Sequence, residues 1–171
     1  MIDKKVANLL NDQINKEFYS AYLYLDMSNY FEGRGLNGFA NWYKIQAQEE
    51  RDHAMLFYQY MQNNDCPITL NAIAKPDKVF KKDMDVLKAG LEHEEYVTES
   101  IHNIYEAAYK AKDFRTMQFL DWFVKEQGEE ETNARDMITK MELFGNDPKS
   151  LYMLNQELAG RTYSAPSLVL D

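Results

Sequence analysis

Glutamates stand at mid-helix positions where apolar residues belong, on four separate seams. Stepping by three and four along one helical face, the first seam reads Ala7, Leu10, Ile14, Glu17, Ala21, Tyr24, Ser28. The second reads Phe39, Tyr43, Gln46, Glu50, His53, Phe57, Tyr60, and the third Met84, Leu87, Leu91, Glu94, Thr98, Ile101, Tyr105. The fourth runs Leu120, Phe123, Gln127, Glu130, Ala134, Met137, Met141, Phe144. If the four helices pack on these seams, the carboxylates of Glu17, Glu50, Glu94 and Glu130 meet the His53 imidazole and the Gln127 amide in one core. Unpaired charges buried there cost several kcal/mol each. Bound cations are the remedy, so the pattern predicts a metal site.

Glu50 and His53 sit at i and i+3, a pairing used to bind metals inside helical bundles. Alone that spacing is common; with carboxylates on three further seams it becomes specific. The donors are oxygen-rich with one nitrogen and no sulfur, which disfavours structural zinc. With Glu50 as bridge, Glu17 and His53 serve one ion, and Glu94 and Glu130 the other. Four carboxylates balance two divalent cations. Iron(II) suits the site best, because two ions together can deliver electrons to one O₂, although manganese or zinc could occupy the same donors.

Three further readings concern neighbours of that set. Glu126, Glu129 and Glu130 share a face that Glu49 could join across the bundle, so a third cation competes there with a solvated acidic patch. Tyr24, two turns from Glu17, is read as a core tyrosine bonding a carboxylate, with electron donation during oxidation as the sharper alternative. His93 and His102 lie off the Glu94 seam and are read as surface residues. Trp42, Trp122 and the methionines of the fourth seam read as core.

Composition sets the frame for these positions. The chain has 171 residues, 45% of them hydrophobic, which is enough for one domain with a real core. Only 7 Gly and 4 Pro leave long stretches free of breakers, which predicts an all-α protein. A net charge of -9 argues against nucleic acid as partner and suits attraction of cations. Cys66 is the only cysteine, in a turn-like Asn-Asp-Cys-Pro, so neither a disulfide framework nor a cysteine metal knot is available. The N-terminus Met-Ile-Asp-Lys-Lys has no apolar leader and no run is long enough to span a bilayer, so the expectation is a cytoplasmic protein with no membrane association.

The elements follow from breakers and caps. The first helix is expected from about Asp3 to Phe31, the second from about Gly38 to Asn63, and the third from about Asp83 to Ala111. Asp113 caps the fourth, which runs to about Phe144. Asp147 and Pro148 start a short fifth helix ending near Gly160, followed by an extended tail over 161–171. A helix of this length measures roughly 40 Å. The short turns after the first and third helices force antiparallel neighbours. The segment 64–82, at about 3.3 Å per residue, can cross the whole bundle, so the second and third helices run parallel. The result is a four-helix bundle over about 3–144 with one long crossover and a short fifth C-terminal helix, within a single domain. The glutamates each fall near mid-helix and should converge in one layer. Leu151, Leu154 and Leu158 form a stripe on the fifth helix for which the bundle offers no groove, so symmetry copies are expected to cover it.

The segments Asn15-Lys16-Glu17-Phe18-Tyr19-Ser20 and Gln48-Glu49-Glu50-Arg51-Asp52-His53, together with Glu94 and Phe119 through Glu131, resemble the bacterial non-haem ferritins. The resemblance covers essentially the whole chain and implies a ferritin-like fold. It also implies ferroxidase activity on Fe(II) with O₂ or H₂O₂ as oxidant, a homo-oligomeric shell of 24 subunits, and ferric oxyhydroxide stored inside. By that resemblance Glu17, Glu50 and His53 hold one iron, and Glu50, Glu94 and Glu130, with Gln127 nearby, hold the second. Glu49, Glu126, Glu129 and Glu130 would form a third site. Bacterioferritins, the haem-bearing relatives, carry a methionine after the bridging glutamate; Arg51 stands there, so no haem is expected. Animal ferritins line their three-fold channels with two carboxylates early in the fourth helix, and the matching positions here read as Met117 and Leu120. A passive storage shell, a DNA-protecting mini-ferritin and a rubrerythrin-type peroxidase are the rival classes. The intact seam site argues against the first, and the nearly uncharged tail against the second. A single cysteine excludes the four-cysteine iron domain of the third.

Overall fold

The computed structural model describes residues 2–170 and shows five α-helices. α1 (Lys4–Gly33) starts at Asp3, whose carboxylate accepts from the Lys5 N–H at 2.9 Å. The chain turns through Gly35 at φ +73°, a conformation suited to glycine, into α2 (Asn37–Asn63). α3 (Asp83–Ala111) begins where the Asp85 carboxylate accepts from the backbone of Lys82 at 3.0 Å. Lys112 makes the left-handed turn, and Asp113 caps α4 (Phe114–Phe144) through the Thr116 N–H at 3.1 Å. α5 (Pro148–Ala159) is capped by Asp147 with proline in its first turn. These limits lie within a few residues of the expected ones, because Gly, Pro and capping Asp residues sit at the boundaries.

Between α2 and α3 the chain crosses the length of the bundle without secondary structure. It is held to α1 by reciprocal bonds: Asn11 Nδ2 donates to the Thr69 carbonyl at 3.1 Å, and the Thr69 N–H donates to Asn11 Oδ1 at 2.8 Å. The apolar core divides into two clusters. One gathers Leu23, Met27, Phe31, Phe39, Tyr43, Leu87 and Met137; the other gathers Leu10, Ile14, Phe57, Ile101, Leu120 and Phe123. Along α1 and α4 the chain passes from the second cluster to the first, and along α2 and α3 from the first to the second. α2 and α3 therefore run parallel, as the crossover demands. On each of these four helices the change of cluster falls at a glutamate: Glu17, Glu50, Glu94 and Glu130.

α5 departs from expectation. The leucine stripe expected to need symmetry copies is covered by its own bundle: Leu154 and Leu158 are buried and Leu151 is packed against the first cluster. The helix folds back across the start of α2, where Asn155 Oδ1 accepts from the Gly38 N–H at 2.8 Å and the Phe39 N–H at 3.3 Å. Those donors lie in the first turn of α2 and have no helical partner, so a side chain from α5 caps α2 from outside. A Cβ at position 38 would stand 1.7 Å from the Asn155 carbonyl oxygen, so only glycine permits the approach. What α5 leaves outside is Tyr152 and Met153, 63% and 64% exposed.

The tail returns along the bundle from α5. Tyr163 donates to Asp52 Oδ2 at 2.5 Å, Trp122 Nε1 donates to Ser167 Oγ at 2.9 Å, and Leu168 and Leu170 pack on the second cluster. It forms a strap over α2 and α4. No helix among the described residues is long and apolar enough to cross a membrane.

Candidate metal centre

Between the two apolar clusters lies a polar layer. Glu17, Glu50, His53, Glu94, Gln127 and Glu130 are all buried in it. The coincidence is helical arithmetic: each side chain continues an apolar seam, so bringing the seams together brings them together. Glu17, Glu50 and His53 form the tightest group, offering ligand atoms within 4.8 Å of one another. His53 Nδ1 lies 3.3 Å from Glu50 Oε2, and its ring is held edge-on by Trp122 and Phe123.

Fixed donors orient the carboxylates. Gln13 Nε2 donates to Glu17 Oε1 at 2.8 Å, and Gln13 Oε1 in turn accepts from Ser100 Oγ at 2.7 Å. Gln46 Nε2 donates to Glu130 Oε2 at 2.7 Å and reaches Glu50 Oε1 at 3.4 Å, spanning the two. The Tyr24 hydroxyl donates a short bond to Glu94 Oε1, and Gln127 Nε2 donates to Glu94 Oε2 at 3.1 Å. Gln127 thus steers Glu94 with its nitrogen. One atom is left over: Glu17 Oε2 is buried without a hydrogen-bond partner among the described residues. If Glu17 and Glu50 are both ionised, that oxygen has no donor; a proton or a cation between them supplies one. An orphaned carboxylate oxygen facing a second carboxylate and an imidazole fits a metal ion.

The electrostatics agree with that fit. Burial, then the charge of Glu50, raises Glu17 from 4.5 to about 8. Burial, then the charge of Glu94, raises Glu130 to about 8. Glu94 rises to about 7 through burial, opposed by the bonds from Tyr24 and Gln127. Glu50 is pushed well above the carboxylate range by burial and then by Glu94 and Glu130. The metal-free site therefore stores protons at neutral pH, which cations would displace. A cavity of about 20 Å³, bordered by Tyr24, Gln46, Glu94 and Glu130, has room for one water-sized species.

The flanking acids do not converge in the same way. Glu126 is half-buried and Glu129 exposed, with the Lys125 Nζ 3.5 Å from Glu129 Oε1. Glu49 is taken by Arg161, whose Nη2 donates to Glu49 Oε2 at 2.5 Å. Burial raises Glu49, against the opposing charge of Arg161. Leu120 lies wholly inside the bundle, and Met117 packs half-buried on the second cluster.

Other residues gain or change roles. Gln13 and Gln46 each stand four residues before a site glutamate, a repeated spacing that was legible but carried no weight on its own. His93, read as a surface residue, is buried: its Nε2 lies 2.7 Å from Ser20 Oγ, its ring meets Tyr24 edge-on, and burial lowers it to about 4. The reason is that α1 packs over the flank of α3, so the position beside Glu94 is inside as well.

The ferritin-like domain family matches residues 7–144. A bacterial non-heme ferritin of Campylobacter jejuni is 38% identical over 156 residues, covering 91% of this chain and 93% of that one. The chain belongs to the ferritin family. A bacterial non-heme ferritin of Staphylococcus haemolyticus is 37% identical over 163 residues, 95% of this chain and 98% of its own. Among solved structures, the open pore ferritin of Archaeoglobus fulgidus superposes with a TM-score of 0.92 at 41% identity, covering 95% of this chain and all of that one. An engineered closed form of the same ferritin gives 0.93, covering 96% of this chain. This ferritin-family membership supports iron storage as the broad function, and the buried Glu17, Glu50 and His53 are its candidate metal-binding group.

Proposed function

We propose that the chain is a ferroxidase and iron-storage ferritin: it oxidises Fe(II) with dioxygen at a paired site inside the bundle and stores ferric oxyhydroxide in a hollow shell of 24 copies in the cytoplasm. The observation that carries this reading is the polar layer itself, four buried carboxylates and one imidazole, with Glu17 Oε2 fully buried and lacking a hydrogen-bond partner among the described residues. Iron is the substrate. Glu17, Glu50 and His53 would take one Fe(II), and Glu50, Glu94 and Glu130 the other, with Gln127, Gln46, Gln13 and Tyr24 holding the carboxylates in place. Two Fe(II) each give up one electron; O₂ accepts both with two protons and leaves as hydrogen peroxide. Carboxylates displaced from their protons on Fe(II) binding are the nearby acid–base groups. Hydrolysis of Fe(III) then yields the oxyhydroxide.

The shell is supported by relatives described as open pore and closed forms, words that suit a hollow assembly. Closed symmetry would also concentrate the chain's net charge of -9 around a common interior, drawing cations inward. The leucine stripe of α5 is covered by its own bundle and does not call for symmetry copies. Oxygen uptake after two Fe(II) per chain are added to metal-free protein tests the activity: a fast phase saturating at two iron per chain supports it, and oxidation that only follows mineral growth refutes it. Sedimentation tests the shell, which a stable monomer or dimer would exclude.

A further inference from the structure

The seat beside Glu49 already holds a cation, and it belongs to the protein. Arg161 reaches it from just beyond α5. Its guanidinium lies over the Trp42 ring at 4.0 Å, donates through Nη1 to the Trp42 carbonyl at 3.2 Å and to Gln46 Oε1 at 3.0 Å, and pairs through Nη2 with Glu49. Both partners are largely enclosed, the Arg161 and Glu49 side chains being 16% and 18% exposed. The backbone is fastened too, since Asn41 Nδ2 donates to the Arg161 carbonyl at 3.1 Å. Immediately downstream the strap continues to Asp52 and Trp122. Gln46 joins this anchor to the paired site, accepting from Arg161 on its oxygen while donating to Glu130 and Glu50 from its nitrogen.

We propose that Arg161 is an internal gate: it occupies Glu49 Oε2, so a metal ion can use that oxygen at the flank of the paired site only by displacing the guanidinium and loosening the C-terminal strap. The physical basis is competition. A guanidinium with a fork to Glu49 and Gln46 and a face on Trp42 leaves Glu49 unable to ligate a metal with the same oxygen, and the apparent affinity of any incoming cation falls by the fraction of time the seat is free. The flank thus fills late, after iron has accumulated, and its filling is reported outward by release of residues 162–170. This deepens the proposed ferroxidase reading and rests on it.

Zn(II), which cannot be oxidised, is the probe. Calorimetric titration of the metal-free assembled protein is compared for wild type, Arg161→Ala, Arg161→Lys and the double variant Arg161→Ala/Glu49→Gln, with hydrogen exchange of 162–170 followed in parallel. The expected result is two tight ions in every case, and a further ion bound about tenfold or more tightly in Arg161→Ala than in wild type. Arg161→Lys, which keeps the charge but loses the fork, should fall between, and the double variant should lose the gain. In wild type the strap should exchange faster only as the further ion binds. Two tight ions with the further affinity unchanged by Arg161→Ala overturns the gate while leaving the paired site standing; so does a further ion in wild type that leaves the strap protected. Absence of tight ions in every variant overturns the paired site as well.

Discussion

Replacing Glu50 by glutamine should stabilise the metal-free protein and destroy its purpose. Burial and the charges of Glu94 and Glu130 hold Glu50 well above its ordinary 4.5. The folded chain therefore holds this proton to higher pH than the unfolded chain does. The cost grows by up to about 1.4 kcal/mol for each pH unit between the unfolded and the folded value. A raised folded value adds no penalty below 4.5, and stability is lost as pH climbs towards the folded value. Glutamine has the same shape, never needs the proton, and its amide can donate to the orphaned Glu17 Oε2. The variant should unfold about 2–4 °C higher than wild type at pH 7 for each kcal/mol relieved, and by less at pH 5. Thermal unfolding of chelator-treated protein at both values measures this. Fast Fe(II) oxidation should vanish in the same variant, and saturating Zn(II) should stabilise wild type more than the variant. A gain that is equal at the two pH values, or a variant less stable than wild type at pH 7, would refute the reasoning.

Zn(II) binding to metal-free protein at pH 7 should release protons, since Glu17 and Glu130 rise to about 8 and Glu94 to about 7; binding heats in buffers of different ionisation enthalpy measure the number, which should fall as pH rises past 8. Binding without proton release at pH 7 contradicts the protonated site. Tyr24→Phe removes the donor to Glu94 and should slow oxidation several-fold while two metal ions still bind; loss of metal binding would show that Tyr24 does more than orient Glu94. Glu129 is exposed and beside Lys125, so Glu129→Ala should leave the first two-iron oxidation unchanged and alter later turnover. A first phase slowed as severely as in His53→Ala would contradict that separation.

Much of the fold was legible because its punctuation is local. Asp3, Asp113, Asp147, Pro148 and Gly35 mark helix ends by their own chemistry, and the length of 64–82 decides the handing of α2 to α3. The site glutamates were legible for a related reason: a charge on an apolar seam contradicts its surroundings, and four such contradictions at one height have few explanations. What stayed hidden depends on contacts between distant segments. Position 93 is off its seam, and nothing local says that Ser20 of α1 will meet it. The α5 stripe looks unpartnered until Gly38 lets the Asn155 backbone approach α2. Arg161 reads as an ordinary tail residue until the strap lays it on Trp42 and Glu49.

The central claim is that two iron ions share Glu50 within one bundle. Anomalous diffraction at the iron edge, from crystals soaked with Fe(II) without oxygen, tests it most directly. The account predicts two peaks per chain flanking the Glu50 carboxylate, one in ligand range of Glu17 and His53, the other of Glu94 and Glu130. A single peak, or iron bound only outside the layer between the two apolar clusters, would contradict it.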